Sequence, residues 1–106
     1  MRFYSARRIV EAVDELVPDV YREKTGKAVE ELRRQKSAVM VGCAYEMPAI
    51  RPSMVEISVI LGTSHSAAKL HLEYWRGLDW QARYAWIRFV EGRLSHETNP
   101  VDAALL

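Results

Sequence analysis

The chain has a single cysteine, Cys43, so no internal disulfide can staple it and no second thiol offers a metal site. His71 and His96 have no partner at ligand spacing, and no bound metal is expected. Paired carboxylates in a cleft motif, a nucleophile motif and a G-x-x-x-x-G-K-S/T phosphate loop are all missing. Neither an enzyme nor a bound cofactor is therefore expected. No segment alternates with the period of a strand, and no repeat period occurs. The longest weakly polar run, Ser37–Tyr45, is far shorter than the roughly 18–20 residues that span a bilayer. The first residues, MRFYSARRIV, are charged and do not read as a signal peptide, so a cytoplasmic location without membrane contact is expected.

Charge of one sign is also scarce overall: the net charge is +1. Its distribution is uneven. Residues 1–31 carry six basic and seven acidic groups, residues 32–70 five and two, residues 71–94 four and three, and the tail two acids only. The positive surplus is central, where a polyanionic partner would be met.

Helical spacing fills the rest. Ser5 is a good N-cap for a helix carrying Ile9, Val10, Val13, Leu16 and Val17, which Pro18 ends. A turn or short helix over 18–26 leads to a long helix from Lys27 to Tyr45. Val29, Leu32, Val39 and Cys43 share one face of that helix. Its second half is nearly all apolar and reads as the buried centre of a bundle. Pro48 and Pro52 make 47–52 a loop.

Ser53 with Glu56 fits a capping box, opening a helix that buries Met54, Ile57 and Leu61. Gly62 suits the left-handed residue that stops a helix, and Thr63 or Ser64 can cap the next, from His65 to Trp75. Two short helices around such a turn spell a helix-turn-helix at 53–76. With Ala68, Leu72 and Trp75 inward, Ser66, Lys69, Glu73 and Arg76 face outward and His65 sits at the tip. Gly77 and Asp79 then separate a last helix, whose face is read as Trp80, Tyr84, Ile87, Val90 and Leu94. Trp86 and Phe89 fall off that face and are candidates for a homodimer or partner interface. The expected fold is all-α, a five- or six-helix bundle over residues 1–94. Residues 95–106 are expected to form a flexible tail or a linker to a further domain.

The run Ile57–Ala68, ISVILGTSHSAA, resembles the signature of the C-terminal DNA-binding domain (domain IV) of the bacterial replication initiator DnaA. Upstream, Arg8–Val13 is similar to the first helix of that family, and Ser37–Tyr45 sits where the family has its central helix. The resemblance covers about residues 7–76. It implies a bundle related to that of the Trp repressor, and duplex DNA as the partner. His65 and Ser66 match the family's contact residues. Thr63, Ser64 and Ala67 stand where the family has Arg, Asp and Thr, so the initiator's own site is not implied. Without a nucleotide-binding loop the chain is expected to be a piece of a larger protein or a small stand-alone regulator.

The DNA-binding residues expected are Arg51, Ser64, His65, Ser66, Lys69 and Arg76, with Arg51 and Arg76 on phosphates and the helix tip on base edges. The expected role is transcription regulation in a bacterial, phage or gene-transfer-agent setting. Alternatives are replication control, or a helical protein-interaction module that uses the aromatic last helix and no DNA.

Overall fold

The computed structural model describes residues 4–16 and 27–105, with side chains for residues 4–15 and 34–95. The turn or short helix expected over 18–26, together with Val17, lies outside the described residues, as do the side chains of Val29 and Leu32. The described residues form five helices and no strand: α1 (Ala6–Leu16), α2 (Lys27–Glu46), α3 (Met54–Leu61), α4 (His65–Gly77) and α5 (Trp80–Leu105). This is the all-helical bundle expected from the periodicity.

Local chemistry starts each element. The Ser5 hydroxyl accepts from the Arg8 N–H at 3.1 Å and opens α1. One face of α1 then buries Ile9, Ala12 and Val13. From Ala38 onward α2 is buried nearly all round: Ala38, Val39, Val41, Cys43 and Ala44 are all in the core. Such a segment must be central, because most of its circumference is shielded from water. α2 accordingly packs against α1 on one side and α4 on the other, while α3 leans on α4 and α1. Burial, helped by the nearby charges of Glu46 and Glu91, pushes the Cys43 thiol up to about 12. A thiol of that kind stays protonated at neutral pH and acts as a small apolar filler.

The contact between α2 and α4 rests on Gly42. A Cβ built there would fall inside the Trp75 indole, against its Cγ, Cδ2 and Cε2. The Trp75 ring therefore lies directly on the α2 backbone. One turn further along α2, the Glu46 carboxylate accepts from Trp75 Nε1 at 3.1 Å. Gly42 and Glu46 thus form a socket, apolar at its floor and polar at its rim, that fixes where α4 lies.

α5 returns along α1 and α2. The Asp79 carboxylate caps it, accepting from the Ala82 N–H at 2.8 Å. Two expectations about this helix need correction. Val90 and Leu94 are buried and Ile87 packs on the core, but Trp80 and Tyr84 are 66% and 54% exposed. Trp86 packs against the core in their place. The first two turns of α5 carry Trp80, Tyr84 and Trp86, and of these only Trp86 packs on the core. The helix also continues past Leu94 to Leu105. Pro100 removes one backbone donor there without ending the helix.

Glu15 ties α1 to α5. Its carboxylate accepts from Arg93 Nη2 at 3.0 Å and Nε at 3.3 Å, and from Arg8 Nη1 at 3.3 Å. The hydrogen bonds from Arg93, then those from Arg8, hold the Glu15 carboxyl below its ordinary value of 4.5. A depressed carboxylate stabilises the fold above its unfolded value, and that contribution disappears as pH falls through its folded value. Glu15→Gln should therefore lower the melting temperature at pH 7. The gap to the parent should shrink steadily below pH 4.5. A gap that stays constant between pH 7 and pH 3 in thermal melts would show that the pair contributes nothing.

Candidate nucleic-acid interface

α3 and α4 are two helices broken at Gly62–Ser64. Three devices shape the break. The Ser53 hydroxyl accepts from the Glu56 N–H at 3.1 Å and starts α3. Gly62 adopts φ 68°, a left-handed conformation open to glycine. Its N–H donates to Val59 O at 3.1 Å and the Thr63 N–H donates to Ser58 O at 3.0 Å, the paired bonds of a Schellman ending. The Ser64 hydroxyl then accepts from the Ala67 N–H at 3.1 Å and starts α4. Ser64 is thus the cap of α4. Its hydroxyl proton remains available to an outside acceptor.

Ala68, Leu72 and Trp75 are buried, which fixes the rotation of α4 as the spacing predicts. His65, Ser66, Lys69, Glu73 and Arg76 are all exposed. Leu70 was not anticipated on this face. It lies four residues after Ser66 and three before Glu73, on the side opposite the core, and is 65% exposed. The helical spacing could have revealed it, because an apolar residue at an outward position breaks the amphipathic pattern.

Arg51 and Arg76 come together, although the loop, α3 and most of α4 separate them in sequence. The Arg51 guanidinium stacks 4.1 Å from the centre of the Tyr45 ring, and Arg76 lies 5.4 Å from the same centre. Arg51 Nη1 donates to the Tyr45 hydroxyl at 3.3 Å and Arg76 Nη2 donates to it at 3.5 Å. Arg51 Nε also donates to the Tyr45 carbonyl at 3.3 Å. Tyr45 is absent from the residues the sequence singled out. No local signal marks it, since its role depends on a contact spanning 31 positions.

The described cations differ in their partners, and Arg7, Arg34, Arg83 and Arg88 pair with no carboxylate among the described residues. On the α1 side, cations meet carboxylates: Arg8 with Glu11 and Glu15, Arg93 with Glu15, and Lys36 with Asp14 at 2.6 Å. Neither Arg51, Lys69 nor Arg76 pairs with a carboxylate among the described residues. Glu46, beside Tyr45, accepts from Trp75 instead. Arg51 also lines an open cleft of about 690 Å³ with Arg7 and Glu56, but forms no ion pair with Glu56.

The residues read as an interface on α5 divide. Trp86 packs on the core, whereas Phe89 is 59% exposed and meets the Trp86 edge at 6.5 Å between ring centres. Trp80 and Tyr84 add exposed aromatic surface, and Arg88 lies 5.6 Å from the centre of the Tyr84 ring. No described helix is long and apolar enough to cross a membrane.

What fold and geometry define together is an all-helical bundle that presents an exposed helix with cations that meet no carboxylate among the described residues. The chain matches no known protein family, no curated protein and no solved structure.

Proposed function

We propose that the chain binds duplex DNA, with α3 and α4 acting as a helix-turn-helix and α4 entering the major groove. The observation that carries this reading is that Arg51, Lys69 and Arg76, on α4 and on the loop before α3, meet no carboxylate among the described residues, and that two of them come together on the Tyr45 ring. A sequence-reading domain of a bacterial, phage or gene-transfer-agent transcription regulator is the role that fits. The resemblance of residues 57–68 to the DnaA DNA-binding signature supports the same mode of docking.

In this reading His65, Ser66 and Lys69 reach base edges, and Leu70 offers apolar surface to a thymine methyl group. Ser64, Arg51 and Arg76 touch phosphates. Glu73 places one negative charge on the same face and weakens purely non-specific binding.

The test starts from a duplex selected out of random sequences and compares it with random duplex at fixed salt. Replacing His65 or Lys69 by Ala should cost specific binding about 1–3 kcal/mol and relax preference at one or two base pairs. Affinity should fall with salt along a shallow slope, because only a few phosphates are neutralised. If both variants bind both duplexes like the parent, α4 is not the reading helix.

A second reading is favoured by Trp80, Tyr84 and Phe89. Three large exposed aromatics on one helix suit a protein surface, either a second copy or another partner. Salt-independent association that survives the His65 and Lys69 variants would point there.

A further inference from the structure

We infer that Tyr45, Arg51 and Arg76 form a clamp for one phosphate group. As a clamp for DNA it rests on the duplex-binding reading above, and its ligand there is a single backbone phosphodiester.

Two guanidiniums that share one ring and one hydroxyl repel each other, and neither forms an ion pair with a carboxylate among the described residues. An arrangement of this kind is poised for an anion from outside. The donor set is complete for a phosphate. The Tyr45 hydroxyl accepts from both arginines, so its own proton points elsewhere and meets no acceptor among the described residues. One O–H and the unused N–H groups of two guanidiniums therefore lie around one oxygen atom. Tyr45 acts as the positioning residue: its ring stacks Arg51, and its oxygen brings Arg76 from the end of α4 to the loop before α3. The clamp thus joins the two ends of the helix pair, and one bound phosphate would set the register of α4 in the groove.

The arrangement also fixes a count. Arginines on separate phosphates release counterions independently, whereas two arginines on one phosphate do not. For duplex DNA the slope of log affinity against log salt changes by about 0.9 per phosphate neutralised. Arg51→Ala, Arg76→Ala and the double variant should each flatten it by no more than about one unit.

The experiment has two arms on the full chain. In the first, inorganic phosphate is titrated at constant ionic strength while NMR follows the Nε–H groups of Arg51 and Arg76. Both should shift together and saturate, while Arg8 and Arg93 should not. Tyr45→Phe keeps the ring but removes the shared oxygen and its proton, and should weaken phosphate binding about tenfold. In the second arm, the salt slope is measured on duplex DNA for the parent and the three alanine variants.

A double variant that loses about two units places the arginines on separate phosphates and overturns the clamp. Unsaturable shifts spread over all arginines overturn it as well, and leave duplex binding standing if the parent retains a salt slope. Saturable phosphate binding without duplex binding keeps the clamp as an anion site and removes the DNA reading. Phosphate binding unchanged in Tyr45→Phe removes Tyr45 from the site.

Discussion

Gly42→Ala should destabilise the protein by about 3 kcal/mol, although alanine is the better helix former by about 1 kcal/mol. The added methyl occupies the space of the Trp75 indole, so the ring must leave its seat or α4 must move off α2. Either movement also breaks the bond from Trp75 Nε1 to Glu46. Trp75→Ala should cost about 3–5 kcal/mol, through lost burial and the cavity left behind. The decisive result is the combination. Once the indole is gone, the methyl at position 42 has room and only its helical preference remains. The double variant should therefore be no less stable than Trp75→Ala alone, and about 1 kcal/mol more stable if propensity is fully expressed. An interaction energy that large identifies direct contact. Urea unfolding followed by circular dichroism measures all four proteins, since Trp80 and Trp86 make fluorescence ambiguous. A Gly42→Ala variant as stable as the parent would mean that the indole does not lie on α2.

The same residue shows where sequence reading ends. Four helix starts were legible because an N-cap needs only a hydroxyl or carboxylate three residues ahead of an N–H: Ser5, Ser53, Ser64 and Asp79 all take that part. Gly62 was legible because a helix stop needs a left-handed residue. The inward face of α4 was legible because Ala68, Leu72 and Trp75 repeat at the helical period. Gly42 says nothing until the indole it receives is known. Likewise Tyr45 reads as an ordinary end to an apolar run until the fold brings two arginines to it. α5 failed for a related reason. Trp80 and Tyr84 share a stripe with Ile87 and Leu94, so their period is right. Burial, however, depends on how far the neighbouring helices reach, and α1 and α2 do not cover the start of α5. Periodicity specifies a face but not the extent of its partner.

Two adjacent substitutions on α4 should separate folding from binding. Ala68→Asp places a carboxylate at a fully buried position of α4. An unpaired buried charge of this kind should cost more than about 4 kcal/mol and abolish the cooperative unfolding transition or leave it barely measurable. The pH dependence gives the loss a signature. Burial would raise the folded-state value of the new carboxyl above its unfolded value of about 3.9. The penalty is then smallest below that value, where both states hold the proton, and grows as pH rises towards the folded-state value. The deficit relative to the parent should therefore narrow between pH 7 and pH 4. Lys69→Asp, one residue on, faces solvent. Its effect on stability should stay within about 0.5 kcal/mol at any pH in that range. Its effect on the proposed duplex binding should be the larger one, because a positive contact becomes a negative charge facing phosphate. The pair is measured by urea unfolding at pH 4, 5.5 and 7, and by duplex binding at pH 7. If Ala68→Asp folds as well as the parent, α4 is rotated from the orientation described. If Lys69→Asp folds normally and binds duplex like the parent, α4 does not face DNA, and the exposed aromatics of α5 become the surface to pursue.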